Sequence, residues 1–292
     1  MFVPPKDWRS LSYFPVLNIF HRAGWVHRDI SAGNVFLHER TCFKLGDLEF
    51  AKKMGKDGEH DVRTVSIIYT SPLLSLNSRS KGTLDFMAFE VENQEYLYLP
   101  DGSKNKPGFF YHNSLHELES VWWLATWFLF FHHPSEQAHE NLKGQKDALD
   151  ALFPRRLTDF HRFQFFSEDG KFQNAIQCLH ADIRGPGADL EELRTSLKAA
   201  YKDFEVYLVE PSAPRHIQTF SGNPLSNIHD VFKSKLKEIC RAYQNNDITL
   251  VRLHGQKRRH SENSEDSARG KRIKYKGVDI VYVMNCFHFS LT

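Results

Sequence analysis

The stretch that decides the fold reads Val26-His-Arg-Asp-Ile-Ser-Ala-Gly-Asn-Val35 and resumes as Lys44-Leu-Gly-Asp-Leu-Glu-Phe-Ala51. Trp25 to Leu37 reads as a loop that runs into a short strand, Asn34-Val-Phe-Leu37, and Thr41 to Leu45 is a second short strand. Two such runs with a polar loop between them form a hairpin-like element, which can hold side chains at a fixed rim. Around it stand Asp29, Asn34 five residues on, and Asp47 just past the second strand. All three are oxygen-bearing side chains. Upstream, Trp8 to Ala23 carries Leu11, Phe14, Leu17 and Phe20 at helical spacing, with Gly24 as a natural stop.

Working outward, Asp47 to Phe89 is a long connection without strong periodicity. Its middle, Val65 to Ser80, has a single charge, Arg79, in a run of Ser, Thr, Ile and Leu. Leu115 to Phe131 predicts an apolar helix whose Trp122, Trp123 and Trp127 point to several sides, so it is buried all round and its tryptophans are core. From Glu136 to Gln244, helical stretches alternate with loops marked by Pro154, Gly185-Pro-Gly187 and Pro211-Ser-Ala-Pro214. Val278 to Met284 is a β-prone run, and no internal repeat is visible. The expected class is mainly α with short β-hairpins.

The first stretch has the H-R-D-x-x-x-x-N pattern of the protein kinase catalytic loop in residue type and spacing. Gly82-Thr-Leu-Asp-Phe-Met-Ala-Phe-Glu90 resembles the end of a kinase activation segment, with Ala88-Phe89-Glu90 where A-P-E is usual. His116-Glu-Leu-Glu-Ser-Val-Trp-Trp123 opens the apolar helix as a kinase's buried central helix opens. Together these resemble the fungal-type protein kinase family over residues 17–131, and more loosely to about Gln244. The resemblance implies a protein-kinase-like C-terminal lobe over residues 1–250 and transfer of the γ-phosphoryl of ATP to a Ser/Thr hydroxyl on a protein substrate. It makes Asp29 the catalytic base, with His27 and Arg28 in the same catalytic motif. Asn34 and Asp47 become the cofactor-binding residues, holding Mg²⁺ against the phosphates, as phosphoryl transfer requires. Arg28 would link the loop to the activation segment, and Glu90 would anchor that segment.

There are departures. Ser31 stands where most Ser/Thr kinases place a phosphate-contacting Lys, Leu48-Glu49 replaces Phe-Gly, and Glu117 replaces the Asp that braces the loop. Only 26 residues precede His27, too few for the N-terminal β-sheet lobe, whose glycine-rich cover and strand Lys clamp ATP. The expectation is therefore a C-terminal lobe lacking its N-terminal partner. It is either part of a truncated or mispredicted kinase, with residues 65–80 as an insertion, or a catalytically inactive, pseudokinase-like binding module. Small-molecule phosphotransfer uses a similar loop but fits Gly82 to Glu90 poorly.

Composition bounds the rest. The 292 residues carry 41% hydrophobic, 25% charged and 13% aromatic side chains, which excludes wholesale disorder. Net charge is +2, but residues 251–276 alone hold 9 basic against 3 acidic residues, leaving 29 against 33 elsewhere. That segment is nearly without large apolar residues and predicts a disordered basic linker, followed by a β-prone tail over residues 277–292. Its clusters Lys257-Arg258-Arg259 and Lys271-Arg272-Ile273-Lys274 stand 11 residues apart. They read either as a bipartite import signal for importin or as a charged, exposed loop. Nucleic acid is disfavoured as a partner, since stacking aromatics are nearly absent there. Cys42, Cys178, Cys240 and Cys286 form no CxxC pair, and no His pair has metal-ligand spacing with nearby Cys. The most apolar stretch, Val121 to Phe131, has 11 residues, against about 20 for a membrane span. No secretory signal opens the chain. The expected location is intracellular, cytoplasmic or nuclear.

Overall fold

The computed structural model describes residues 14–38, 42–54, 84–100, 110–134, 141–154, 160–209, 226–245 and 250–253. They are mainly helical, with a few short strands. The expectations for residues 65–80, for Gly82-Thr83, for Pro211 to Pro214 and for the β-prone tail lie outside these residues, as does the helical stretch before Phe14.

Helix α1 (Phe14–Arg22) is followed by Gly24, whose φ of 79° is left-handed and costs glycine nothing. Trp25, read from sequence as loop, instead starts a two-residue strand β1 (Trp25–Val26). This strand pairs antiparallel with β4 (Lys52–Lys53), placing Trp25 opposite Lys53. Between them lies the expected hairpin, β2 (Val35–His38) with β3 (Cys42–Leu45), in a register that sets Val35 opposite Leu45 and His38 opposite Cys42. A single 3-10 turn, Leu84–Phe86, and the short helix α2 (Phe89–Asn93) follow.

The core is organised on α3 (Ser114–Phe131), buried along almost its whole length, with Trp122 and Trp123 in the core as its sequence predicts and Trp127 and Phe131 half-buried. Its start is fixed by a reciprocal cap: the Asn113 side chain accepts from Leu115 N at 2.8 Å, and His116 Nδ1 accepts from Asn113 N at 2.9 Å. Trp122 Nε1 donates to Leu190 O on a neighbouring helix at 2.8 Å, so the ring is buried with its polar atom satisfied. At the other end, Gln145 Nε2 donates to the carbonyls of Phe130 and His132, reaching from α4 (Leu142–Leu152) to helix-end acceptors with no intrahelical partner. The chain then extends as β5 (His132–Pro134). The two histidines bond backbone oxygens, His132 Nδ1 that of Phe128 and His133 Nδ1 that of Pro134.

Helices α5 (Phe160–Ser167), α6 (Lys171–Ile176), α7 (Ala181–Val209) and α8 (Ser226–Asn245) complete the described body. The long α7 packs between α3 and α8. On α8, the buried Ile228, Phe232, Leu236, Ile239 and Cys240 recur every three or four residues.

Two expectations are corrected. Gly185-Pro-Gly187 is not a loop but lies inside α7. Pro186 removes only the bond its missing N–H would make to Asp182 O, close to the helix start, and it is buried against the core. Gly187 lets α7 approach α6: a β-carbon there would stand 2.8 Å from Ile176 Cγ2 and 3.3 Å from Leu179 Cδ1. The basic segment also begins later than residue 251, because Leu250–Arg252 form β6. This strand pairs antiparallel with β5, setting Val251 opposite His133. Residues 254–276 lie outside those described.

Gly187→Ala gains about 1 kcal/mol of helix propensity but overpacks the α6 contact at a cost of about 1–3 kcal/mol. The expected net result is a loss of about 1 kcal/mol in urea denaturation, and unchanged or increased stability would show that the two helices do not depend on this close approach.

Candidate functional site

The His27–Asn34 loop and the turn after β3 are tied together by their own polar groups. His27 is buried, and its Nε2 donates to Gly46 O at 2.8 Å; its Nδ1 faces Asp29 N at 3.3 Å. Because a carbonyl only accepts, the proton sits on Nε2 and leaves Nδ1 as the acceptor. Gly46 N in turn donates to Asn34 O at 2.9 Å. Asn34 Nδ2 donates twice to Asp29, to the backbone O at 2.9 Å and to Oδ2 at 2.8 Å. The structure therefore brings Asp29 and Asn34 into direct contact and locks the loop to the segment that carries Asp47.

Asp47 itself is exposed, with φ 60° and ψ 54°, and does not cap the 3-10 turn Leu48–Phe50 that it precedes. Arg28 is also left-handed, at φ 72°. Such conformations cost about 1–3 kcal/mol each for residues other than glycine and persist where surrounding contacts over-determine them. At Arg28 that contact is visible. Its backbone N donates to Glu117 Oε1 at 2.6 Å. The additional methylene of Glu117, relative to Asp, does not prevent this brace from reaching.

Glu117 is buried and held by a relay that sequence spacing did not reveal. Its Oε2 lies 2.5 Å from His21 Nε2, and His21 Nδ1 lies 2.7 Å from His229 Nε2 on α8. Burial alone pushes the Glu117 carboxyl upward. The hydrogen bond and charge of His21, the charge of His112 and the Arg28 amide outweigh burial and hold it below the ordinary carboxylate value.

A second frame of buried carboxyls holds the segment that follows residue 84. Glu119 Oε1 accepts from Phe89 N, the first residue of α2, and from Trp123 Nε1, while Oε2 accepts from Tyr201 OH. Glu90 Oε1 accepts from Leu97 N at 3.1 Å, and Oε2 accepts from His116 Nε2 at 3.0 Å. Since His116 Nδ1 already accepts from Asn113 N, its proton is on the nitrogen facing Glu90. Burial drops the His116 ring to about 3, so it stays uncharged. Glu205 on α7 accepts from Tyr98 N at 2.8 Å and meets Glu90 side chain to side chain. Burial, then the hydrogen bond and charge of Glu90, push Glu205 up to about 9, and burial pushes Glu90 up to about 7.

Between the loop and this segment opens a small cleft lined by Asp29, Ile30, Phe86, Met87, His112 and Ser120, among others. It sets the Asp29 carboxylate in a lining that is half polar, with Arg28, His112, Glu117 and Ser120, and half apolar, with Ile30, Phe86, Met87, Ala88 and Val91. Of the residues singled out from sequence, His27, Arg28, Asp29 and Asn34 form one bonded unit. Asp47 adjoins it through Gly46. Glu205 and His229 were missed because single acidic and histidine residues on amphipathic helices look like surface positions until the helices are packed.

Residues 16–129 match the family model described as fungal protein kinase. No curated protein and no solved structure matches the chain. The family match supports a fungal protein kinase family for this segment, and with it a kinase-like function.

Glu117→Ala leaves His21 and the Arg28 amide without their buried acceptor and is expected to cost about 3–5 kcal/mol in denaturation. With its carboxyl held low, Glu117 contributes stability fully above its unfolded value of about 4.5 and loses it as pH falls through the lower folded value. The variant's stability should therefore fall less steeply in acid than that of the parent chain. The Glu90–Glu205 pair has the opposite sign. Both folded values lie above 4.5, so its contribution is complete below about pH 4.5 and drains as pH rises towards about 9. Glu205→Gln keeps an acceptor for Tyr98 and a donor for Glu90. Melting temperatures measured between about pH 5 and pH 9 should decline less in this variant than in the parent, and parallel curves would show that Glu205 is not raised by its buried site.

Proposed function

We propose that this chain is a protein kinase of the fungal type, carrying a kinase-like C-terminal lobe and transferring the γ-phosphoryl of ATP to Ser/Thr hydroxyls of protein. The observation that carries the reading is the Asn34 amide bonded to Asp29 inside a loop pinned by His27 and Glu117, in a segment that matches the family model.

Asp29 faces the cleft and has the chemistry to orient an acceptor hydroxyl and take its proton. Asn34 spends its amide nitrogen on Asp29, which leaves the oxygen end for a hard cation. Asp47 adds a carboxylate one residue beyond Gly46. An amide oxygen and a carboxylate suit Mg²⁺, which keeps several waters and binds one or two protein oxygens with the substrate phosphates. When bound, Mg²⁺ and ATP supply the charge neutralisation and the phosphoryl group. Arg28 and the Glu117 brace keep the carboxylate still, and the apolar wall of Phe86 and Met87 limits competing water.

A second reading, a pseudokinase-like binding module without turnover, draws support from Ser31. It is buried, so no cation stands where most Ser/Thr kinases place a phosphate-contacting Lys.

Mg-ATP at a hundred times its dissociation constant should stabilise the purified chain by about 2.7 kcal/mol, and Asp47→Ala should abolish the shift. Radiolabel transfer from ATP to casein should vanish in Asp29→Asn. No thermal shift at millimolar nucleotide sinks the enzyme reading, a shift that survives Asp47→Ala sinks the ligand assignment, and binding without transfer selects the module.

A further inference from the structure

Helix α5 lies beyond the matched segment, yet two of its side chains grip the wall of the cleft. Arg162 is 2% exposed, and its Nη2 donates to the carbonyls of both Asp85 and Met87 at 2.9 Å. The guanidinium carbon lies 4.3 Å from the centre of the Trp123 ring, and Nη1 lies 3.7 Å from Glu92 Oε2. The adjacent Phe163 ring stacks on Phe89, with centroids 4.4 Å apart and planes 22° from parallel. The other end of α5 is itself held: Arg194 Nη1 donates to Phe166 O at 2.6 Å and Lys198 Nζ to Ser167 O at 2.5 Å.

The geometry matters because Phe86, Met87 and Ala88 line the cleft that contains Asp29. Beyond the 3-10 turn Leu84–Phe86 the backbone is irregular up to Ala88, and the carbonyls of Asp85 and Met87 take their bonds from Arg162 rather than from a helix or sheet. The single Nη2 of a planar guanidinium, whose two hydrogens are held in fixed directions, reaches both carbonyls, and stacking on Trp123 fixes the plane of the group. Lysine has the charge but not the rigid geometry. An apolar residue would fill the space and leave buried carbonyls unmet.

We infer that Arg162 is a positioning residue: it fixes the Asp85–Ala88 wall of the cleft from outside the matched segment and so sets where a substrate polypeptide lies relative to Asp29. The backbone part of this inference stands on the contacts alone, and the substrate part rests on the phosphotransfer reading above.

The test compares Arg162→Gln and Arg162→Lys with the parent chain by amide hydrogen exchange and by steady-state transfer from Mg-ATP to casein. In Arg162→Gln, losing both donated bonds should speed exchange over residues 84–92 about tenfold while α7 exchanges as before. The casein KM should rise about fivefold or more with the Mg-ATP KM unchanged, since only the acceptor side of the cleft moves. Arg162→Lys should fall between, and it decides the matter if the Gln variant does not fold. Unchanged exchange over 84–92, or equal acceleration throughout the protein, overturns the inference, as does a KM rise shared equally by casein and Mg-ATP. Should the parent chain show no transfer at all, the kinase reading fails, while hydrogen exchange over 84–92 still decides whether Arg162 fixes the wall.

Discussion

The architecture turns on one buried carboxylate. Glu117, near the start of the central helix, accepts a hydrogen bond from the backbone of Arg28 at 2.6 Å and from His21 at 2.5 Å. A charge removed from water must be compensated locally, and here the compensation comes from a histidine of α1, itself backed by His229 of α8. Because the acceptor is anchored in the most deeply packed helix, the left-handed backbone at Arg28 has something rigid to lean on. The loop position follows, and with it the contact between Asp29 and Asn34.

The same helix supplies the second anchor. Glu119, two residues on from Glu117, caps α2 through Phe89 N and bonds Trp123 and Tyr201. Glu90 returns from α2 to His116, which completes the cap at the start of the central helix, and meets Glu205 side chain to side chain. One helix thus presents polar groups to the loop on one side and to the Leu84–Tyr98 segment on the other, and the cleft is the gap between the two. A helix apolar enough to be buried along almost its whole length holds these groups without solvent to compete for their hydrogen bonds. That explains why so many polar atoms sit in a core otherwise built of Trp, Phe and Leu.

Much of this was legible in local sequence. The part of the helical period that is described, Phe14–Arg22, the β-prone runs that hold Val35–Leu37 and Cys42–Leu45 and the apolar stretch from Val121 became the elements they predict. Hydrophobic period and turn chemistry act over a few residues, so a linear reading can find them. The Gly185-Pro-Gly187 triplet misled for the same reason. Its composition signals a break, but the packing of Gly187 against Ile176 makes a helix the better solution. Val251 and Arg252 looked like the start of a charged linker, but pairing with His132 and His133 makes them strand. No local pattern reports a partner so far along the chain.

The sequence by itself determined the types and spacing of the reactive side chains: an acid, an amide five residues on, and a second acid just beyond a hairpin. Those are fixed by chain order and by short-range backbone preferences. Only the tertiary structure decided how they are held, through His229 supporting His21, Glu205 completing Glu90 and Arg162 reaching Asp85 and Met87. Each of these joins residues at least 75 positions apart. Such pairings are chosen by which helix faces meet when the core closes, a property of the packed chain that no single stretch of it contains.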